Sequence, residues 1–228
     1  MRLNGSRKSQ GARTDPLRLD RIALLALWLT WVGMWGAWIP HHTASLTQNA
    51  IYLAEWSDVL LEVRAGPLAG VPNLLRLALA LAVVGLAIAL GSVRQVWLRW
   101  VLRGLSSLPG LVLLPPYPQV LSLWHSDVYG VRFVVAMVLW AGLVASALTD
   151  LLPPRVRSSL VGVLSVVAAG LGGWSFLILR RPFEVRYAHS ISAGWGVLAF
   201  VFGLMVAALL QVAMLRCARW DSASGSQV

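Results

Sequence analysis

Residues 71–93 read VPNLLRLALALAVVGLAIALGSV, with one charged side chain, Arg76, in 23 positions. A helix needs about 20 consecutive apolar residues to cross a bilayer, and this run is long enough. Four more runs share its character: IALLALWLTWVGMWGAWI (22–39), VRFVVAMVLWAGLVASALT (131–149), LVGVLSVVAAGLGGWSFLIL (160–179) and SAGWGVLAFVFGLMVAALLQVAML (192–215).

The whole chain agrees with these runs. It has 228 residues, of which 58% are hydrophobic and 12% charged, and its mean hydropathy is +0.72. A soluble domain carries roughly a quarter charged residues, so half that complement excludes a soluble globule. Such hydrophobicity also excludes disorder. A single cysteine, Cys217, excludes a disulfide framework, a CxxC redox pair and a cysteine-based zinc site.

A sixth run is harder to read. GLSSLPGLVLLPPYPQVLSLW (104–124) has spanning length, but Pro109, Pro115, Pro116 and Pro118 fall inside it. Proline removes a backbone donor and clashes with the preceding turn, and in lipid the freed carbonyls need partners in protein or trapped water. The segment is therefore a broken span packed inside the bundle, or a re-entrant or interfacial element.

The first 21 residues form a basic segment, with Arg2, Arg7, Lys8, Arg13, Arg18 and Arg21 against Asp15 and Asp20. The apolar run behind them exceeds a signal h-region, and Trp38, Ile39, Pro40, His41 and His42 are a poor cleavage context. An uncleaved first span follows, with its N-terminus held in the cytoplasm by positive charge. With six spans, 13 of the 19 cations lie inside and 6 outside, and five spans give the same division. Charge thus fixes the N-terminus and leaves the C-terminus open, while the full-length apolar segment favours six. The net charge of +10 is explained by orientation and lipid contact, without nucleic acid.

Two connecting segments are amphipathic. In SLTQNAIYLAEWSDVLLEV (45–63), Leu53, Trp56, Leu60 and Val63 form a helical stripe, and Glu55, Asp58 and Glu62 share another face. Ser45 with Gln48 fits a capping box. This predicts a helix lying on the outer surface. The second, RQVWLRWVLR (94–103), places Arg94, Trp97, Arg99, Trp100 and Arg103 at the headgroup layer, where anionic lipid attracts arginine.

The candidate sites follow from these patterns. Pro115, Pro116, Tyr117, Pro118 and Gln119 mark a helix break that can line a solute path, as broken helices do in transporters. Trp28, Trp31, Trp35 and Trp38 stand at helical spacing and offer a partner-contact face. The pairs Ala168 with Gly172 and Ala169 with Gly173, and the series Ala188–Ser192–Gly196, follow the small-xxx-small rule and seat spans against one another. His41, His42, His125 and His189 fall on the outer face in the six-span reading. They lack the i, i+4 spacing of a helical metal site, so they read as interface residues and no metal or cofactor is assigned. No catalytic constellation is present.

Leu74–Leu114 resembles ABC-transporter permeases in composition: an Ala/Leu span, a short basic turn, then LPGLVL. The EAA-type cytoplasmic loop that docks the ATPase is absent, so the resemblance assigns no family.

The expected fold is all-α: a polytopic integral membrane bundle of six, alternatively five, transmembrane helices over 22–219, with an outer-surface amphipathic helix and a disordered tail at 220–228. The expected role is a non-catalytic subunit or scaffold of a membrane complex, with lipid and other membrane subunits as partners. The alternative is a permease subunit with its solute path at the Pro-rich break.

Overall fold

The structure is a computed structural model and describes residues 16–41, 47–115 and 129–224. The described residues form nine α-helices, and their one extended pairing is an isolated bridge between Ile39 and Gln48. The helices are α1 (Pro16–Trp35), α2 (Ala50–Val59), α3 (Leu61–Arg64), α4 (Val71–Ala89), α5 (Val96–Ser106), α6 (Leu108–Leu113), α7 (Gly130–Leu148), α8 (Pro154–Tyr187) and α9 (Trp195–Ser224).

Four segments are long and apolar enough to cross a membrane: Val71–Ser92, Gly130–Leu151, Pro154–Tyr187 and Trp195–Cys217. The first of them is enclosed by the rest. α4 packs on α8 and α7, touches α1 and α2, and buries Leu75, Leu79, Val83 and Leu86. α9 lies between α1 and α8. α7 sits at the rim, with Val134, Val144 and Leu148 exposed.

Small residues bring α1 and α9 close together. A Cβ on Gly33 would come within 2.7 Å of the Phe200 amide nitrogen. Lipid gives apolar helices little reason to associate, so backbone approach of this kind is what membrane helix contacts are built from. Ala168 and Gly172 on α8 are buried, and Gly172 faces the Phe200 ring. The series Ala188–Ser192–Gly196 does not form one face. Ala188 is the left-handed C-cap of α8 at φ 53°, Ser192 is exposed outside any helix, and Gly196 alone is buried.

Several boundaries differ from the sequence expectation. α1 ends at Trp35, so the 22–39 run is helical only in part. Beyond Trp35 the chain leaves the helix: Trp38 and Ile39 donate to the Gln48 carbonyl at 2.7 and 3.1 Å, and Ala37 accepts from Gly196. α8 continues over 34 residues, 154–187, roughly 51 Å. α9 starts at Trp195 and runs to Ser224, into the segment expected to be a disordered tail.

The outer-surface helix of 45–63 is two helices, α2 and α3, separated at Leu60, which is extended at ψ 125°. Its cap is Asn49, whose side chain accepts from the Tyr52 amide. Ser45, the capping residue read from the sequence, lies outside the described residues. The apolar stripe is also split: Leu53 and Val63 are fully buried while Trp56 is 54% exposed. α2 packs on α4 through Ala50, Ile51, Leu53 and Ala54 instead of turning one apolar face to lipid.

The 104–124 segment is distributed as well. Its first residues complete α5, which starts at Val96. Pro109 falls in the first turn of α6, where a missing N–H is harmless. The helix ends at Leu113, and Leu114 is extended, at φ −61° and ψ 145°, as a residue before proline prefers. Residues 116–124 lie outside the described residues.

Candidate functional site

Charged side chains gather at the two ends of the bundle. At one end, α2 carries Glu55 and Asp58, α4 carries Arg76, and α7 carries Arg132. Arg76 is 1% exposed. Its Nη2 reaches Glu55, Asp58 and the Ala54 carbonyl, and its Nη1 donates to Asn73 at 2.9 Å. Arg132 meets Glu55 through both guanidinium nitrogens at 2.8 Å. The same guanidinium donates from Nε to the Leu113 carbonyl at 3.2 Å and from Nη2 to Leu114 at 3.0 Å. It thereby caps α6, whose last carbonyls have no helical partner. Two arginines and two carboxylates balance, so charges that would be costly at this depth neutralise one another.

At the other end, Asp150 follows α7 and takes two arginines from α5. Arg103 reaches it at 2.7 and 3.1 Å, and Arg99 at 2.9 Å. Arg103 also donates to the Ala87 carbonyl at 3.1 Å and the Ser146 carbonyl at 3.1 Å, closing the last turns of α4 and α7. Its guanidinium lies 5.2 Å from the Trp100 ring centroid. Gly91 makes room for this group: a Cβ there would meet Asp150 and approach Arg157 within 3.2 Å. α5 and α6 together therefore link the two ends. Arg99 and Arg103 of α5 hold Asp150, Trp31 of α1 donates to the Ser106 carbonyl at 3.4 Å, and α6 finishes on Arg132.

A crevice of about 370 Å³ opens beside the Asp150 end, between the first turns of α1 and the 92–95 turn. Asp20, Arg21, Leu24, Ser92, Val93, Arg94 and Gln95 line it. Asp20 lies two residues before the apolar run of α1. Burial pushes its carboxyl above the usual range, and the nearby Arg157 charge pulls it partly back. A second groove, about 380 Å³ and apolar, runs between α8 and α9 past Gly162, Val166, Ala208 and Val212.

The sequence candidates separate in the structure. Of the five headgroup residues, Arg94, Trp97 and Trp100 are exposed, whereas Arg99 and Arg103 turn inward to Asp150. Trp28, Trp31 and Trp35 form an edge-to-face ladder at 5.5 and 5.9 Å. Trp38 leaves that face. It is fully buried, donates to the Gly33 carbonyl at 2.9 Å and packs on Phe176 and Phe200. Of the Pro-rich set, Pro115 is buried, and Pro116, Tyr117, Pro118 and Gln119 lie outside the described residues. His41 and His189 approach within 5.8 Å beside Tyr187, while His42 and His125 lie outside the described residues. Among the described residues no three metal-binding side chains converge.

The paired clusters were missed by sequence reasoning, yet a signal existed. Arg76 and Arg132 are the lone cations of two apolar runs, and three of the nine acids sit together at Glu55, Asp58 and Glu62. Lone cations in apolar runs call for acidic partners.

No family model, curated protein or solved structure matches this chain.

Proposed function

We propose that this chain is a non-catalytic membrane-embedded subunit, a scaffold that crosses the cell membrane six times with both ends cytoplasmic. The observation that carries the reading is the use made of the buried charges. Arg76, Arg132, Arg99 and Arg103 are spent on Glu55, Asp58, Asp150 and open helix carbonyls. Ionisable groups at membrane depth usually mark a transport path; here they clasp α4, α5, α6 and α7 at both ends.

The same contacts support six crossings. Between the Asp150 and Arg132 clusters, α5 and α6 supply the 15 residues from Arg99 to Leu113 or about 22 Å of helix, most of the hydrocarbon thickness. The helical apolar part of α1, 22–35, supplies about 21 Å. The non-helical Gly36–Ile39 continues it with Trp38 and Ile39 fully buried and hydrogen-bonded, the condition under which irregular backbone is tolerated in a membrane. In this arrangement the Asp150 end is the cation-rich side, which the positive-inside rule assigns to the cytoplasm.

The second reading, a permease subunit, is favoured by the helix break at Leu114–Pro115. Against it, the carbonyls a solute would use at that break already accept from Arg132. Purification in mild detergent separates the readings. A stoichiometric membrane partner is expected. A chain that purifies alone and accumulates solute in vesicles would replace the scaffold by the permease.

A further inference from the structure

The cytoplasmic-end crevice has the features of a lipid site, and the two arginines on its rim differ from their neighbours. Arg99 and Arg103 are engaged by Asp150. Arg21 and Arg94 are exposed, come from separate elements, and have no ion pair or hydrogen bond among the described residues. Both stand where the chain passes from polar to apolar. Ile22 and Leu25 follow Arg21 on α1, and Val96 and Trp97 follow Arg94 and Gln95 into α5; all four are exposed apolar side chains. That change in surface places the crevice at the headgroup layer, with Leu24 and Val93 in its wall toward the acyl region.

We propose that this crevice binds the phosphate of an anionic phospholipid, held between Arg21 and Arg94. The proposal rests on the reading of the chain as a membrane protein with this end at the headgroup layer. The size fits, since ligand sites begin near 300 Å³ and the crevice measures about 370 Å³. The charge fits as well. Two arginines and Asp20 sum to +1, which one phosphodiester neutralises. Arg157, on the far side of Asp20, offsets the repulsion its carboxylate exerts on the phosphate. Ser92 and Gln95 supply neutral polar groups on the same wall. A guanidinium is suited to phosphate because its fork presents two parallel donors.

The test uses the purified, delipidated full chain in detergent. Phosphatidylglycerol and phosphatidylcholine are added together, and bound lipid is read by native mass spectrometry. The wild type should retain phosphatidylglycerol preferentially. The double variant Arg21→Gln, Arg94→Gln should bind it roughly 30-fold more weakly, at about a fifth of the affinity per arginine removed. Its phosphatidylcholine adducts and melting temperature should be unchanged, and Arg64→Gln at the opposite end should behave as wild type. If the double variant fails to fold, Arg94→Gln alone, a change in an exposed turn, should still give part of the loss. Equal phosphatidylglycerol retention by wild type and variant overturns the proposal. So does displacement of the lipid by excess inorganic phosphate, which would assign the crevice to the free ion. The micelle assay is indifferent to orientation, so an error in the assigned cytoplasmic side leaves its result standing. A chain that stays in solution without detergent and binds neither lipid would instead refute the membrane reading itself.

Discussion

Arg132 and Glu55 stand 77 residues apart in sequence and meet through two parallel bonds of 2.8 Å. The pair ties α7 to α2, and the Arg132 guanidinium extends the tie to the end of α6. Glu55 also faces Arg76. Glu55→Gln therefore leaves two buried guanidinium groups to share Asp58. Removing one partner of a buried pair costs about 3–5 kcal/mol, and the partial exposure of Glu55 puts this site at the low end, near 3. Thermal unfolding in detergent measures the loss. Adding Arg132→Gln should recover part of it, giving a coupling energy in a double-mutant cycle. Strict additivity of the two changes would show that the pair does not interact.

How much of this was legible in the sequence depended on distance along the chain. Val71–Ala89 could be read as a helix because its apolarity is continuous. The ends of α8 could not: its outer turns carry Arg155, Arg157, Arg180, Arg181 and Arg186, and they stay helical beyond the apolar core. The stripe Leu53–Trp56–Leu60–Val63 was read as one helix face, but Leu60 is extended and breaks the helix, and Leu53 and Trp56 meet different surroundings; periodicity gives neither the break nor what a face meets. Arg99 and Arg103 looked like lipid contacts because Asp150, 47 residues from Arg103, gives no local sign of where it will lie. The acidic cluster at Glu55 and Asp58 was visible, but its convergence on Arg76 and Arg132 needed the bundle.

Arg103 satisfies three groups with one planar fork: Asp150, the Ala87 carbonyl and the Ser146 carbonyl. Lysine is a point charge with no such fork. Arg103→Lys should keep the Asp150 contact and lose at least one carbonyl. The loss should be about 1–3 kcal/mol, the cost of a buried unsatisfied group. Arg99→Lys, whose described bond is the single one to Asp150, should shift the melting temperature much less. Equal shifts would mean that the carbonyl bonds of Arg103 contribute nothing.

The two sides of α2 should respond differently to truncation. Leu53 is fully buried against the bundle and Trp56 is 54% exposed. Leu53→Ala should cost about 2–5 kcal/mol through lost burial and a cavity. Trp56→Ala should leave stability in detergent nearly unchanged. Asn49→Ala, which removes the α2 cap, should cost about 1 kcal/mol. A Trp56→Ala loss as large as that of Leu53→Ala would return α2 to the single apolar stripe read from the sequence.

The proposed six crossings would return the C-terminus to the side of the N-terminus. A reporter fused after Val228 that is active only in the cytoplasm should therefore be active. A reporter active only outside should be silent. The opposite pattern would mean an odd number of crossings, and α5 with α6 would then be the element that does not span.

The Pro-rich break discriminates between scaffold and permease because Arg132 caps the helix end beside it. Leu114 is already extended, and Arg132 holds the Leu113 and Leu114 carbonyls. Pro115 favours the extended Leu114, but the Arg132 cap holds the end of α6 independently of it. Replacing Pro115 and Pro116 by Ala should leave expression and melting temperature close to wild type, since the end of the helix is fixed by a guanidinium that the change does not touch. Arg132→Gln should be far more damaging. It strands Glu55 and returns buried carbonyls to an environment where each unsatisfied group costs several kcal/mol. Assembly with the partner subunit, measured by co-purification, should survive the proline replacement in a scaffold. If solute movement is instead lost while the melting temperature holds, the break is part of a path, and the ring of carbonyls around Arg132 is where the solute would have to compete.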